Sequence, residues 1–481
     1  MAELWELSLA DLAAGLGAGE TGVEDACGAF ISRAAEVDER VNCFIELDAA
    51  GAVERARELD RVAKAERGPL HGVPFAAKDI FVEPQRAPSA GVRHMDLRLR
   101  PRGAAVLQRA EGAGAVSLGR LNLDPWGYAT TGANAEFGAA LNPWDPSHLA
   151  GGSSSGAAAA VAARALPFAI GGDTGGSVRI PAAFCGVVGL KPTFGRISRR
   201  GSVPLCYSQD TVGILARSAV DAALALDQLA GFDGEDPAAI NVPAPALATR
   251  VASMAAAGER PLRGLRIGLD RVPMEDACEA ESVALAEAAL KVLTELGAGI
   301  VELDLTLLEG FDVAASILTQ AESASLHGAA FRDAPSRYPP NVARRLSAAM
   351  GCLGSDHVDA LRLQGRALRE LLDGPLVAAD VIVGPAAPGP APRLDSVTDA
   401  SPDEALELSL ALLRLHRPLS FTGVPALSLP VGFDSRGLPV GVQLAARPWA
   451  EGRLLECAAA YQSATDWHLR APLQTTDQGA L

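Results

Sequence analysis

The chain has 481 residues, of which 49% are hydrophobic and 21% charged, a composition typical of a globular protein and unlike that of a disordered one. Its 58 acidic residues outnumber its 42 lysines and arginines, so the formal net charge is −16. Because such a protein is repelled by phosphate backbones and by anionic membranes, the sequence favours a small-molecule substrate over nucleic-acid or membrane binding.

Other compositional features point the same way. Two short basic runs, 98–102 and 196–200, are not interleaved with aromatic residues and are predicted to be solvated surface. The seven cysteines are scattered without a CxxC or CxxH pair, which predicts reduced thiols and neither a metal site nor a disulfide framework. The first residues carry glutamates where a signal peptide requires positive charge, and the longest apolar stretch, 157–172, contains Arg164 and Pro167. We therefore expect a cytoplasmic chain.

The pattern of apolar residues along the chain predicts the following elements. Residues 6–66 combine helical periodicity with capping residues, such as Ser8 before the run LADLAAGL, and predict surface helices. Apolar runs then predict strands at 73–82, 167–172, 264–270, 379–386, 426–433 and 439–446. Helices are predicted at 159–165, 219–231 and 450–467, and a helix followed by a strand within 104–124 and within 283–305. This alternation indicates an α/β fold with a sheet covered on both faces.

The domain organisation follows from the absence of a linker-like stretch. A prior of about 150 residues per domain would suggest about three domains. The Pro- and Gly-rich segments 234–246 and 384–392 are, however, short and flanked by apolar runs. We therefore predict a single domain over residues 1–481, with a peripheral helical insertion around residues 310–375.

Two glycine- and serine-rich loops, 150-AGGSSSGAAAA and 171-GGDTGGSVRIPAAFCG, stand between buried apolar elements. Glycine allows close backbone approach, which a chain needs when several N–H groups point at one place. A nucleoside-triphosphate loop is excluded because Ser177 stands where that motif requires lysine. A dinucleotide loop is excluded as well, because the candidate 15-GLGAGE ends in glutamate and follows no strand.

Residues 152-GSSSG also match the GxSxG nucleophile elbow of α/β-hydrolases, centred on Ser154. That motif requires a strand before the serine and a histidine after it in the chain. The preceding segment 142–151 is instead rich in turn residues, and none of the histidines that follow lies in a characteristic loop. The elbow is therefore disfavoured.

A serine can also be activated by a neutral lysine, and burial favours the neutral form of a lysine. Lys78 ends the apolar run VPFAA and could serve as that base, although a buried ion pair with Asp79 or Asp173 explains it equally well from sequence alone. Ser177 follows Ser153 by 24 residues. The intervening helix rises about 13 Å and the strand returns about 20 Å, so the two loops can meet.

These motifs, in this order, resemble the amidase signature family. The resemblance rests on the two loops above and on 69-PLHGVPFAAKDIF, 119–138, 210–231 and 422–462, and it covers nearly the whole chain. It implies a single α/β domain built on a large mixed sheet, and a Ser–cisSer–Lys triad. In that triad Ser177 is the nucleophile, Ser153 the bridging serine after a cis peptide bond, and Lys78 the base. No cofactor or metal is implied.

The resemblance implies further roles around the triad. The backbone N–H groups of Thr174, Gly175, Gly176 and Ser177 would form the oxyanion hole. Structural support would come from Ser154 and from an ion pair of Asp173 with Arg179. Substrate-binding positions are expected at Thr130, Thr131, Cys206 and Tyr207. The expected partners are an amide-type small molecule and water, and a homodimer is left open.

The family contains hydrolases of amides, carbamates, ureas and hydrazides, and also the A subunit of the glutamyl-tRNA(Gln) amidotransferase. That subunit usually carries a Tyr- and Ser-rich helical segment near its substrate pocket, and residues 340–366 lack one. We therefore expect a stand-alone amidohydrolase, and the alternative is the A subunit of the amidotransferase. The run 190-LKPTFGRISRRGSVP resembles biuret-type hydrolases and points weakly to carbamate or urea-like substrates.

Overall fold

One sheet of eleven strands runs through the computed structural model, which describes residues 3–83, 86–93 and 103–472. The basic run at 98–102 therefore lies outside the described residues. The strands are β1 (Phe44–Leu47), β2 (Pro74–Lys78), β3 (Val116–Leu121), β4 (Phe168–Asp173), β5 (Val188–Lys191), β6 (Thr211–Ala216), β7 (Arg266–Leu269), β8 (Gly299–Glu302), β9 (Val381–Pro385), β10 (Ala426–Phe433) and β11 (Pro439–Ala445).

Helices in the described residues connect these strands. They are α1 (Leu9–Ala18), α2 (Val23–Val41), α3 (Ala49–Asp60), α4 (Ala105–Gly112), α5 (Ser155–Ala162), α6 (Arg179–Cys185), α7 (Ala219–Leu229), α8 (Ala248–Ala255), α9 (Arg271–Ala277), α10 (Ala280–Glu295), α11 (Leu307–Asp333), α12 (Pro340–Ala349), α13 (Gly354–Asp373), α14 (Pro375–Ala378), α15 (Asp395–Thr398), α16 (Pro402–Phe421) and α17 (Glu451–Ser463). No described helix is long and apolar enough to cross a bilayer.

The strand order is β1-β3-β2-β4-β6-β5-β10-β11-β9-β7-β8, so strands from both halves of the chain share one sheet. Two groups are parallel, β3-β2-β4 on one side and β9-β7-β8 on the other. The strands between these groups pair antiparallel. The predicted α/β class and the large mixed sheet are confirmed.

The position of the two loops follows from the parallel pair β2 and β4. Both strands are buried, and Phe75 lies opposite Phe168 in the ladder. Helix α5 is fully buried, and five of its eight residues are alanine, so it packs closely against β4 on the way back to the sheet. Because parallel neighbours end at the same edge of a sheet, Lys78 and the loop that begins at Asp173 lie together.

Four elements near these loops are not predicted by the sequence patterns. Strands β1 and β5 have only four residues each, too few to show a period. Strand β6 has six residues, and Gly213 leaves only three consecutive apolar residues, 214–216, too short a run to indicate a strand. Helix α6 has seven residues and contains Pro181, which obscures its helical pattern.

The segment predicted as a helical insertion at 310–375 is helical over most of its length, and its peripheral position in a single domain stays a prediction. Helices α11, α12 and α13 span most of it, and α11 packs against α12, α13 and α16. As described below, α11 and α12 line the cavity that contains Ser177. The pattern of surface helices hides this role because a cavity wall is exposed to solvent on one side.

The basic run at 196–200 was predicted to be solvated surface, and this prediction is wrong. Arg196 lies beside Glu451 with 3.0 Å between Nη2 and Oε2, and both side chains are almost completely buried. Arg200 pairs with Asp233 at 2.8 Å. These internal ion pairs hold the segment after β5 against the rest of the fold.

Candidate active site

Lys78 is the last residue of β2, and its side chain is almost fully buried, with 2% of the residue exposed. Its Nζ donates a hydrogen bond to Ser153 Oγ at 2.6 Å and lies 3.5 Å from the carbonyl oxygen of Gly172. Burial lowers the pKa of Lys78 to about 8, although nearby carboxylates, chiefly that of Asp124, oppose the shift. The neutral amine is therefore a minority form near pH 7, far more populated than in an ordinary lysine, and it predominates above about pH 8.

The alternative role of Lys78, a buried ion pair, is not supported by the geometry. Asp79 accepts a hydrogen bond from the backbone of Ser89 at 2.8 Å and lies 3.4 Å from Arg120. Asp173 pairs with Arg179. Both candidate carboxylates therefore have other partners, and the hydroxyl of Ser153 is the near neighbour of the lysine.

The Ser153 loop meets the Ser177 loop through backbone hydrogen bonds. The peptide bond between Gly152 and Ser153 is cis. The Ser154 N–H donates to the carbonyl oxygen of Ser177 at 3.0 Å, and the Ser154 hydroxyl donates to the carbonyl oxygen of Gly172 at 3.2 Å. Ser154 is fully buried and its hydroxyl is engaged with the backbone. This arrangement suits a structural serine and does not suit an exposed nucleophile elbow.

Asp124 supports the same loop from the other side. Its carboxylate accepts the Gly132 N–H at 3.0 Å, and its own N–H donates to the carbonyl oxygen of Ser153 at 3.3 Å. A Cβ atom at Gly152 would lie 1.8 Å from the Asp124 carboxylate, so only glycine fits at that position. Burial raises the pKa of Asp124 to about 6.

The Ser177 loop is held by a buried ion pair. Arg179 Nη2 lies 2.9 Å from Asp173 Oδ1 and Nε lies 2.9 Å from Oδ2, with neither side chain exposed. The Asp173 carboxylate also accepts the Gly176 and Val178 N–H groups, at 2.8 and 3.2 Å. These contacts keep the pKa of Asp173 far below its usual value despite burial.

One member of the predicted oxyanion hole needs correction. Because the Gly176 N–H donates to Asp173, it does not point at the position of a substrate oxygen. Gly176 instead provides the backbone bend, with φ of +117° and no room for a side chain against His416 and Ile180. The N–H groups of Thr174, Gly175 and Ser177 remain as the candidate set.

Thr174 is positioned by Asp210, which precedes β6. The Thr174 hydroxyl donates to Asp210 Oδ1 at 2.6 Å. The same carboxylate accepts the N–H groups of Leu205 and Cys206 at 2.9 and 3.0 Å. Asp210 therefore ties the loop at 205–210 to the loop that carries Ser177.

The far side of Arg179 is also fully bonded. Its Nη1 donates to Gln443 Oε1 at 2.7 Å, and Nη2 donates to Ser420 Oγ at 2.8 Å. His416 contacts Gln443 Oε1 through Nδ1 at 2.8 Å, and burial lowers the pKa of His416 to about 3. This network fixes the Ser177 loop to α16 and β11, and it provides no histidine base for Ser154.

Ser177 opens into a cavity of about 410 Å³, which we call the Ser177 cavity. Its walls come from the Ser177 loop, from the segment 127–130, from Leu205, and from α11, α12 and α16. They include Gly127, Tyr128, Thr130, Thr174, Gly175, Ser316, Gln320, Arg345, Leu410 and Arg417. A volume of this size holds a small organic molecule. The predicted nucleophile therefore faces a space that fits a substrate.

Arg345, on α12, contributes a cation to this cavity. Its Nη1 donates to the Tyr128 carbonyl at 3.0 Å and its Nη2 donates to Ser409 Oγ at 2.6 Å. Within the described residues, these acceptors are neutral and no carboxylate lies at ion-pair distance from Arg345. By contrast, Arg417 pairs with Asp312 at 2.7 Å. The cavity thus presents one guanidinium without an acidic partner in the described part of the chain.

A larger cavity of about 560 Å³, the outer cavity, adjoins this one along Ala129, Arg344, Arg345 and Leu406. Thr130 lines the Ser177 cavity and hydrogen-bonds Ser409 at 2.8 Å, and Ser409 lines the outer cavity. Thr131 lies on the outer side. The structure therefore places only Thr130 of these two predicted substrate residues beside Ser177.

Cys206 and Tyr207 do not line the Ser177 cavity in the described part of the chain. Cys206 is fully buried beside Phe311 and Phe421, and Tyr207 is 59% exposed to solvent. The neighbouring Leu205 reaches the cavity instead. The turn at 205–210 points Cys206 inward and Tyr207 outward, which residue type alone does not indicate, and a substrate role for either residue stays a prediction.

Sequence reasoning missed Asp124, Asp210 and Arg345. Asp124 and Asp210 both lie in segments that carry the family resemblance. Asp210 directly precedes β6, and Asp124 follows the end of β3 by three residues. A carboxylate next to a buried strand was the available signal for them. Arg345 lies on an amphipathic helix, where an arginine is expected on the solvated face, so the sequence carries no signal of its own.

Comparison with known proteins places this geometry among related chains. A family model described as Amidase matches residues 25–455. The chain is 36% identical, over 491 aligned residues, to the A subunit of glutamyl-tRNA(Gln) amidotransferase from Pseudomonas savastanoi pv. phaseolicola (strain 1448A / Race 6). That alignment covers 97% of this chain and 99% of the relative.

Solved structures are similar over nearly the whole chain. One, described as an unexpected vestigial protein complex that reveals the evolutionary origins of an s-triazine catabolic enzyme, has a TM-score of 0.85 and 31% identity. It covers 95% of this chain and 98% of its own. The native peptide amidase from Stenotrophomonas maltophilia has a TM-score of 0.83 and 32% identity, covering 98% and 99% of the two chains.

Proposed function

The chain belongs to the amidase signature family of enzymes that hydrolyse C–N bonds, and from this premise we propose that it cleaves an amide through an acyl-enzyme on Ser177. The observation that carries the proposal is the 2.6 Å hydrogen bond from Lys78 Nζ to Ser153 Oγ, beside the loop of Ser177. Burial holds the pKa of Lys78 near 8, where an amine serves as a base at physiological pH.

Acylation follows from this arrangement. Ser177 Oγ attacks the amide carbon while its proton passes to Ser153, and the Ser153 proton passes to neutral Lys78. The N–H groups of Thr174, Gly175 and Ser177 stabilise the charge that develops on the carbonyl oxygen. As the C–N bond breaks, the proton returns from Lys78 through Ser153 to the leaving nitrogen.

Deacylation uses the same groups in reverse. Water loses a proton through Ser153 to Lys78 and attacks the ester on Ser177. The acid product leaves, and Ser177 regains its proton. The reaction requires no cofactor, and we place it in the cytoplasm, where the seven unpaired cysteines of the chain would stay reduced.

Arg345 indicates the substrate class. A guanidinium whose described acceptors are neutral oxygens keeps donors for a ligand, and its planar fork matches a carboxylate. It lines the same cavity as Ser177. We therefore propose a substrate that carries a carboxylate a few bonds away from its amide, as glutamine does.

Replacing Arg345 with leucine is expected to raise KM for a carboxylate-bearing amide by about 10- to 100-fold, the value of one charged hydrogen-bonding contact. For a neutral amide of similar size, KM should change little. Arg362→Leu, an exposed arginine on α13, serves as the matched control. Steady-state kinetics on glutamine and on a neutral amide measure both effects, and equal losses for the two substrates would contradict a role in carboxylate recognition.

For the physiological setting, the comparisons support the alternative from the sequence better than the main expectation. One relative, 36% identical over 97% of this chain, is the A subunit of a glutamyl-tRNA(Gln) amidotransferase. We therefore propose that the chain releases ammonia from glutamine within an amidotransferase assembly. A stand-alone hydrolase is the second candidate, supported by the similarity to a peptide amidase.

Glutaminase activity is expected to be low for the isolated chain and to increase when partner subunits are added. The test compares ammonia release from glutamine, transfer to glutamyl-tRNA(Gln), and hydrolysis of simple amides, carbamates and ureas. Each is measured with and without the partner subunits that co-purify with the chain. Ser177→Ala is the inactive control in all three assays, with and without the partner subunits. Full activity of the isolated chain on simple amides, unchanged by added subunits, would replace the amidotransferase assignment with the stand-alone hydrolase.

A further inference from the structure

A third cavity, of about 600 Å³, lies at the carboxyl ends of β7 and β9, and we call it the strand-end cavity. It is lined by residues at these strand ends, by the first turns of α11 and by one face of α16. In the described part of the chain it shares no lining residue with the Ser177 cavity. The proposed reaction does not use it.

The topology explains why a cavity forms there. The strands β9, β7 and β8 are parallel neighbours in that order. From β7 the chain passes through α9 and α10 to β8 on one side, and from β9 it passes through α15 and α16 to β10 on the other side. The connections leaving adjacent carboxyl ends therefore diverge, which is the place where open α/β sheets bind ligands.

The wall between the two cavities consists of bonded polar side chains. Gln443 lines the strand-end cavity, and its Oε1 accepts from Arg179 on the other side at 2.7 Å. Asp312 also lines the strand-end cavity and pairs with Arg417, which lines the Ser177 cavity, at 2.7 Å. The wall is therefore continuous at these two points, and a molecule in the strand-end cavity occupies a separate site.

The lining combines apolar surface with an excess of negative charge. Met274, Leu305, Leu308, Ile382, Leu415 and Leu419 supply the apolar part. The charged residues of the lining are three carboxylates, those of Asp270, Glu309 and Asp312, and one arginine, Arg414. Because Arg417 neutralises only Asp312, the cavity retains a net negative lining in a protein of net charge −16.

We propose that the strand-end cavity is a second ligand site, which binds a small apolar molecule carrying an ammonium group. The volume lies within the range of sites for small organic ligands. The apolar walls would cover the hydrocarbon part, and the carboxylates at the rim would attract the cation. A carboxylate-bearing molecule, such as the substrate proposed for the Ser177 cavity, would be repelled from this one.

Gly384 offers a direct way to fill the cavity. It lies in β9 on the cavity wall, and a Cβ atom added there would meet no other atom within 4 Å. Leucine at this position would therefore project into the cavity without a clash of its Cβ. Gly365, on the exposed surface of α13, has the same open surroundings and provides the matched control.

The test is calorimetric titration of the whole chain with 2-phenylethylamine, compared with 2-phenylethanol and phenylacetate as neutral and anionic relatives. We expect saturable binding of the amine at one site per chain, weaker binding of the alcohol and none of the phenylacetate. Gly384→Leu should weaken amine binding by about tenfold or more, because it fills the site, and Gly365→Leu should leave it unchanged. The proposal would be overturned if the amine bound equally well to both variants, or if phenylacetate bound more tightly than the amine.

A second variant keeps the test valid if Gly384→Leu does not fold. Glu309→Gln changes an exposed side chain at the rim and should preserve the fold. This substitution should weaken binding of the amine by about threefold or more and leave binding of 2-phenylethanol unchanged, because only the charge is removed. Glu39→Gln, on exposed α2 surface, is its control. An equal effect of the two substitutions would contradict the site. Since binding is measured without turnover, failure here leaves the proposed amide cleavage untouched.

Discussion

Replacing Ser177 with alanine is expected to lower kcat/KM for amide cleavage by about 10⁴-fold or more, the loss seen when a catalytic serine is removed from such a unit. The hydroxyl of Ser177 is the group that attacks the amide carbon in the proposed mechanism. Alanine removes this hydroxyl and keeps the backbone N–H of the oxyanion hole in place. The fold should be retained, because the loop is held by the Asp173–Arg179 pair and by backbone contacts. Kinetics and a thermal unfolding curve together separate loss of chemistry from loss of structure.

Ser154→Ala is the matched control, because Ser154 is the neighbouring buried serine and the centre of the GxSxG pattern. Its hydroxyl bonds only backbone atoms of Gly172 among the described residues, so its removal should cost about 1 kcal/mol of stability and little activity. The reverse pattern, an inactive Ser154→Ala and an active Ser177→Ala, would replace the lysine mechanism with a nucleophile elbow.

The second large effect concerns Lys78 and pH. A lysine with a pKa lowered to about 8 is charged below that pH and neutral above it. Only the neutral amine accepts the serine proton, so activity should rise as the pH increases through about 8 and then level off. Lys78→Ala should remove this limb and lower the rate of acylation by about 10²- to 10⁴-fold. The loss should be smaller for esters than for amides, because an alcohol leaves with less need of a proton.

A pH profile of kcat/KM for the wild type, Lys78→Ala and the control Lys64→Ala measures this effect. Lys64 lies on the surface, outside the loops described above, and should leave the profile unchanged. If the rising limb persisted in Lys78→Ala, or were abolished instead by a substitution of His416, then Lys78 would not be the base.

The fold was predictable where periodicity is strong. The apolar runs at 73–82 and 426–446 indicated buried strands because continuous burial suppresses alternation over enough residues to be seen. Strand β1 has four residues and no longer apolar run around it, whereas the equally short β7 lies inside the apolar run 264–270 that indicated it. The order of the sheet, with β9-β7-β8 on the side opposite β2, depends on contacts between distant segments that local patterns do not encode.

The site was predictable only as far as its motifs extend. Lys78 was singled out by its apolar flank and the two loops by their glycines and serines, which are local features of the sequence. The triad roles of Lys78, Ser153 and Ser177 came from the resemblance to the amidase signature family and stay a proposal. Arg345 reaches the cavity because α12 packs over the loops, and Tyr207 misses it because a turn points outward. Such outcomes depend on tertiary packing, which local sequence patterns do not encode, so which of the expected substrate residues face the cavity could not be predicted from the sequence.

Trapping of the acyl-enzyme tests the central claim most directly. The protein is mixed with an ester or amide substrate, quenched in acid during turnover, digested and analysed by mass spectrometry. We predict one added acyl group per chain on the peptide that contains Ser177, and no adduct in Ser177→Ala. An adduct on Ser154 instead, or turnover in Ser177→Ala at the wild-type rate without any adduct, would contradict the mechanism.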